Sequence, residues 1–210
     1  MLRLYYSPGA CSMASHIALE ESGAEYEATP VLLAKGEQLT AAYRRINPRG
    51  KVPALAVDGE VLTENLAIMT YLALRFPDAG LLPNDDLSRA RCLALMAWLS
   101  NTVHPSFTHI RRPERFAADA AAHATIQETG RKSFWANCEE IDGLIAHKQW
   151  MMGAQYSAAD AYALVFYAWG GFAHLPMGEL PHYTAFKDRM LQRMAVRRVL
   201  KRENNPLVAA

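Results

Sequence analysis

Cys11 stands in Ser7-Pro8-Gly9-Ala10-Cys11-Ser12, where a short strand-like stretch has ended and a helix-like stretch begins. Backbone N–H groups at a helix start are unpaired. Together with the positive end of the helix dipole they lower a thiol pKa and favour the nucleophilic thiolate. The Ser12 hydroxyl beside it is available to that sulfur or to a ligand sulfur. A second feature is Lys51-Val52-Pro53, after the loop Asn47-Pro48-Arg49-Gly50 and just before a strand-like run. Proline donates no ladder hydrogen bond, so a tight turn there, a cis one included, leaves Val52 with free N–H and C=O groups for an extended peptide. The third is Thr63-Glu64-Asn65 at the next helix start, where free N–H groups suit a ligand carboxylate and Glu64 suits an ammonium. Together these residues describe a site for a small peptide with charged ends and a reactive centre near Cys11.

The elements that must hold them follow from periodicity. Leu2-Arg3-Leu4-Tyr5 alternates as a strand, Ser7-Pro8-Gly9 breaks it, and Ser12 to Ser22 reads as a helix closed by Gly23, with Met13, Ala14, Ile17 and Ala18 on one face. Tyr26 to Leu33 is a second strand and Gln38 to Ile46 a short helix. Ala54 to Val57 and Glu60 to Leu62, joined by Asp58-Gly59, form a hairpin, and Asn65 to Arg75 is a helix. The order βαβαββα fills residues 1–76, and the turn-rich residues 77–84 read as a linker. Beyond it the pattern is helical over Asp85 to Thr108, Ala117 to His147, Ala158 to Gly170, Thr184 to Met194 and Val196 to Arg202. The expected fold class is an α/β domain over residues 1–76 followed by an all-α domain over residues 85–210.

Composition removes several function classes. With 22 Lys+Arg against 21 Asp+Glu, the chain lacks the basic footprint of a nucleic-acid binder. Its most apolar run, Ala161 to Ala173, is shorter than the roughly 18 residues of a membrane span. The turn at Ser7-Pro8 leaves no room for a signal-peptide core, so the expected location is cytoplasmic. Three scattered cysteines, Cys11, Cys92 and Cys138, make no disulfide framework and no C-x-x-C pair. His104 and His109 are off the four-residue spacing that shares a helix face, so no metal is expected. No Walker loop or G-x-G-x-x-G is present either. The basic tail, from Arg189 to Arg202, reads as a solvated helix face rather than a phosphate patch.

Leu4-Tyr5-Tyr6-Ser7-Pro8-Gly9-Ala10-Cys11-Ser12, His16-Ile17-Ala18-Leu19-Glu20, Ile46-Asn47-Pro48-Arg49-Gly50-Lys51-Val52-Pro53-Ala54-Leu55 and Leu62-Thr63-Glu64-Asn65 resemble the bacterial beta-class cytosolic glutathione transferases. Ser157-Ala158-Ala159-Asp160-Ala161-Tyr162 is similar to that superfamily's helix-capping segment, in which Ser and Asp close a capping box. The resemblance implies a thioredoxin-like N-terminal domain, an all-helical C-terminal domain, a homodimer and a detoxifying transferase with glutathione as co-substrate. It places Cys11 against the glutathione sulfur, Val52 and Pro53 on the cysteinyl backbone, Glu64 and Asn65 on the γ-glutamyl end, and Lys35 on the glycyl carboxylate. Tyr6 and Lys51 join the glutathione-binding set by the same likeness. His104 falls at a histidine near the sulfur, which assigns it with Cys11 and Ser12 to the catalytic group. Phe107, Phe166 and Trp169 are the expected wall for a hydrophobic electrophile.

Four positions depart from the family pattern. Lys51 stands where glutamine is usual, Asn65 where glycine is common, Pro105 where a lysine follows the histidine, and Ala97 near an asparagine that helps bind the ligand. The expected reaction is attack of an activated glutathione thiolate on a hydrophobic electrophile. Two rivals keep the fold: a glutathione-dependent disulfide reductase or deglutathionylase working through a Cys11 mixed disulfide, and a non-catalytic carrier of apolar ligands.

Overall fold

The computed structural model describes residues 1–208. Strands β1 (Leu2–Tyr6), β2 (Tyr26–Pro30), β3 (Ala54–Val57) and β4 (Glu60–Thr63) form one sheet in the order β2-β1-β3-β4. β1 runs parallel to β2 and antiparallel to β3. A parallel pair needs a crossover, which α1 (Ser12–Glu21) supplies, whereas Asp58 and Gly59, both at positive φ, close the β3–β4 hairpin. Alternation along β1 sends Leu4 and Tyr6 into the main core with α1 and α3 (Asn65–Arg75). Tyr5 points the other way, into a small cluster with Val31, Val52 and Tyr43 of α2 (Ala41–Arg44). This is a thioredoxin-like arrangement.

The remaining elements are helices: α4 (Asp86–Trp98), α5 (His104–Arg111), α6 (His123–Ile145), α7 (Ala158–Phe172), α8 (Pro181–Gln192) and α9 (Met194–Arg202). The sequence pattern predicts one helix from Asp85 to Thr108, but a π-helical turn, Leu99–Val103, divides it. Pro105 has no N–H to return to the Asn101 carbonyl, so the regular ladder breaks one turn ahead of it. α8 and α9 part at Arg193, whose backbone is extended. α7 begins with the capping box: the Asp160 carboxylate accepts from the Ser157 N–H at 2.7 Å and from the Met151 N–H at 2.7 Å.

α1 and α7 are central, and their burial explains how the two parts of the chain join. Every residue of α1 from Ser12 to Leu19 is buried, because the sheet and α3 cover one side while α7 and α9 cover the other. A single hydrophobic core therefore runs from Leu4 to Leu200 through both parts. The basic tail serves that junction: Arg193 grips Glu21 with two bonds, 2.6 and 2.9 Å, and Arg198 reaches Glu20 at 3.1 Å. α5 and α6 approach closely at Gly130, where a Cβ would lie 2.6 Å from the His109 Cβ. Among the described residues no helix is long and apolar enough to cross a membrane.

Candidate active site

The loop from β1 to α1 is built to hold Cys11 still. Ala10 N–H closes a turn on the Ser7 carbonyl at 3.0 Å, and Gly9 supplies the positive φ of 71° that the turn needs. The Ser12 hydroxyl donates to the Ser7 carbonyl at 3.2 Å and accepts from the Ser7 N–H at 3.0 Å. Ser12 is fully buried, so its hydroxyl closes the loop from within and does not face a sulfur, which corrects its placement in the catalytic group. The helical part of the chain then clamps the Gly9 peptide from both ends. Trp169 Nε1–H donates to the Gly9 carbonyl at 2.9 Å, and the Glu203 carboxylate accepts the Gly9 N–H at 3.1 Å.

Glu203 is itself fixed by His16 at 2.8 Å, with both side chains shut off from solvent. Arg202 approaches the other ring nitrogen of His16 at 3.2 Å. A guanidinium only donates, so that nitrogen is the acceptor, and the proton sits on Nδ1, directed at Glu203. The ring of Tyr6 lies 4.7 Å from that of His16, inside the core. Tyr6 thus faces away from the cleft, and its expected part in ligand binding is removed: it shares the strand face of Leu4.

Cys11 is the N-cap of α1 and is half-buried, with its thiol 3.6 Å from the Val52 carbonyl. Burial pushes this thiol up to about 11, against the lowering effects of Asn65, of its own backbone N–H and of Lys51. The expected depression at the helix start is therefore overturned, because a thiolate loses more hydration here than the few donors return. Val52 precedes Pro53 through a cis peptide bond. The Lys51 carbonyl in front of it is held twice, by Tyr43 at 2.8 Å and Asn47 at 2.7 Å. The Val52 N–H has no partner among the described residues, whereas the Val52 carbonyl is the one that meets the Cys11 thiol. Lys35 ends a short 3₁₀ turn whose Leu33 packs with Val52 and Ala10.

Glu64 closes the third side. It is exposed, stands at φ 73° and ψ 127°, and precedes the first turn of α3 with no side-chain cap. A non-glycine residue there pays a conformational penalty that tends to be retained at functional sites. Asn65 is buried beneath it and bonds to the Cys11 carbonyl at 3.0 Å.

His104, half-buried at the start of α5, lies across from these residues, its ring 4.9 Å from Trp169. Burial lowers it to about 4, helped by the positive charges of Lys51 and Arg115, so it is a neutral imidazole at neutral pH. Phe107 stacks on Trp169 at 4.3 Å, and Phe166 meets the same indole edge-on at 5.4 Å. Phe166 is wholly enclosed and drops out of the expected pocket wall, while Phe107 and Trp169 keep only a sliver of surface. A separate cavity of about 600 Å³, lined by Arg189, Arg193 and Arg198, lies between α1 and α8–α9, away from Cys11. No group of side chains suited to a metal occurs among the described residues.

Residues 9–75 match the family model described as "Glutathione S-transferase, N-terminal domain". The chain is 34% identical to Glutathione S-transferase GstA of Escherichia coli O157:H7 over 205 residues, which is 96% of this chain and 98% of that one. The chain belongs to the glutathione S-transferase family. A glutathione transferase homolog from Sulfitobacter, solved with bound glutathione, superposes with a TM-score of 0.92 at 31% identity, covering 96% of this chain and 98% of that one. The beta-class glutathione S-transferase of Sphingomonas chungbukensis does so with a TM-score of 0.86 at 34% identity, covering 96% and 98%. The protein is thus a glutathione transferase, with glutathione as its co-substrate. In this transferase the structure brings Cys11, Val52, Pro53, Glu64, Asn65 and Lys51 to one end of the sheet, with His104 facing them from α5. Glu203 and the Tyr43–Asn47 grip on Lys51 carry no sequence signal, since each acts through a backbone group chosen by the fold. Trp169 has a role the sequence does not suggest, as a hydrogen-bond donor to the loop that leads into Cys11.

Proposed function

We propose that this transferase joins glutathione to a small hydrophobic electrophile, with the tripeptide lying along Val52. The unpaired N–H of Val52, a residue whose carbonyl meets the Cys11 thiol, is the observation that supports this reading best. The cysteinyl backbone of glutathione pairs with Val52, its ammonium meets Glu64, and its γ-glutamyl carboxylate meets the free N–H groups at the start of α3. Lys35 and Lys51 suit the glycyl carboxylate. The glutathione sulfur then lies near Cys11 and the positive end of α1, where the Ser12 N–H has no partner among the described residues, and this favours the thiolate without the Ser12 hydroxyl.

His104 at about 4 is too weak a base to keep a thiol proton at neutral pH, so it serves as a neutral hydrogen-bond partner and the proton leaves to solvent. The thiolate attacks carbon, a C–S bond forms, and the leaving group departs with its electron pair. The Cys11 thiol at about 11 speaks against the disulfide-reductase reading, which needs a ready Cys11 thiolate. Residues 1–76 supply the glutathione side and residues 85–210 the electrophile side. A homodimer fits Leu74 of α3 and Leu87 of α4, which are 68% and 60% exposed on neighbouring helices. A cytoplasmic location suits a chain that depends on reduced glutathione.

Calorimetric titration with glutathione, paired with thiolate absorbance against pH for wild type and Cys11→Ala, tests the reading. The expected result is micromolar-to-millimolar binding with a bound glutathione thiol that ionises below about pH 7.5, in both proteins. Absence of binding would overturn it. Sedimentation of a Leu74→Glu, Leu87→Glu variant tests the dimer, which should dissociate.

A further inference from the structure

The cavity of about 600 Å³ that lies away from Cys11 opens at the break between α8 and α9. Arg189 of α8, Arg193 at the break and Arg198 of α9 line it, together with Glu20 and Glu21 of α1. Both carboxylates are already engaged. Glu21 takes the two bonds from Arg193, while Glu20 accepts the Tyr26 hydroxyl at 2.5 Å and lies 3.1 Å from Arg198 and 3.8 Å from Arg202. Four guanidinium groups thus meet two carboxylates, and two positive charges are left over. Arg189 spends only its Nε–H, on the Gln149 carbonyl at 3.0 Å, so its two terminal nitrogens have no partner among the described residues. α9 adds donors of its own. Its N-cap, Arg193, makes no side-chain bond into the first turn, and the N–H groups of Met194 and Ala195, which also line the cavity, have no partner among the described residues. Ala195 is only 6% exposed, and an unpaired N–H on so buried a residue is uncommon. Part of the basic tail that reads as a solvated face therefore converges on one cavity.

We propose that this cavity binds an organic phosphate or sulfate monoester. A tetrahedral oxyanion accepts hydrogen bonds from several directions, which suits guanidinium and backbone N–H donors arriving from two helices, whereas a carboxylate presents two oxygens in one plane. Two charges on a phosphate monoester balance the two left over. The cavity is larger than the oxyanion alone and within the range of sites for small organic molecules, and Met194, 63% exposed, offers apolar contact to the ester group. None of these residues belongs to the glutathione side, so the site stands independently of the reading above.

The test is calorimetric titration of the whole protein with phenyl phosphate, inorganic phosphate and inorganic sulfate, sodium chloride holding the ionic strength constant. Phenyl phosphate should bind once per chain with a Kd at or below about 1 mM, several-fold tighter than inorganic phosphate. Arg189→Gln and Arg198→Gln should each weaken it by about tenfold, the worth of one hydrogen bond between charged groups. The Arg198 side chain is 60% exposed, so that variant keeps its fold and decides the matter even if Arg189→Gln loosens α8. Acidification from pH 7.5 to 5 takes one charge from the phosphate ester near pH 6 and should weaken its binding, while sulfate, which keeps both charges, should bind as before. Absence of saturable binding, binding that survives both substitutions, or inorganic phosphate bound as tightly as the ester overturns the proposal.

Discussion

Replacing Glu203 tests whether the loop that carries Cys11 depends on a contact from beyond α9. Its carboxylate accepts two buried donors, the Gly9 N–H at 3.1 Å and His16 Nδ1–H at 2.8 Å, and is itself sealed from solvent. Glu203→Ala strands both donors, each worth about 1–3 kcal/mol, so a loss of about 3–5 kcal/mol is expected. Glu203→Gln keeps one accepting oxygen but turns an NH₂ towards the other donor, and should lose about 2 kcal/mol. For a chain of this size 1 kcal/mol moves the melting point by about 2–4 °C, so Ala should lower it by about 6–20 °C and Gln by about 4–8 °C. Urea titration at pH 7 measures the stability, and calorimetry on the same samples should show weaker glutathione binding as the Gly9 loop relaxes. If Ala stays within about 1 kcal/mol of wild type, or Gln proves as harmful as Ala, the two-donor account is wrong.

Trp169→Phe keeps an aromatic ring on Phe107 but removes the donor to the Gly9 carbonyl, so about 1 kcal/mol of stability should go, read by urea unfolding, together with some glutathione affinity. Gly130→Ala places a methyl 2.6 Å from the His109 Cβ and 3.0 Å from the Ser106 carbonyl, which should force α5 and α6 apart and destabilise by about 1–3 kcal/mol in thermal melts. Between pH 6.5 and 4 two buried groups, His104 and Asp160, oppose each other in their effect on stability. His104 stays unprotonated down to about 4 in the fold but binds a proton near 6.5 when unfolded, so its contribution falls as pH falls. Asp160 holds a proton up to about 6 in the fold but only to about 4 when unfolded, so its contribution rises as pH falls. Removing the first group in His104→Asn should make the variant gain about 2 kcal/mol relative to wild type on going from pH 7 to 4.5, once screening at the half-buried wild-type ring is allowed for, as read by urea titration of both proteins at both pH values.

Local grammar made the grouping of the candidate residues legible. Cys11, Val52 with Pro53, and Glu64 each sit at a junction where backbone groups lose their partners, and such junctions announce themselves through proline, glycine and a change of period. Tyr6 was also readable from the alternation of β1, which puts it with Leu4, although the likeness to known transferases pointed towards the site. What could not be read was what covers each element. Ser12 to Ser22 reads as a helix with one apolar face, yet α7 and α9 bury the other face too, so Ser12 and His16 turn inward. The same covering raises the Cys11 thiol, an effect no residue near position 11 foretells. Glu203 and Trp169 act on Gly9 across most of the length of the chain, and the π-helical turn depends on one missing N–H at Pro105.

The two-sided grip on Gly9 also bears on the order in which the molecule is made. Cys11 and Val52 leave the ribosome early, but the peptide that sets their loop is bonded to Trp169 and Glu203, which come late. A nascent chain that has not reached Glu203 can have the sheet and no finished site. The Cys11 loop is therefore incomplete until α9 has docked, and a thiol that reacts with glutathione or oxidants during synthesis would do so in a setting quite unlike the one it occupies afterwards.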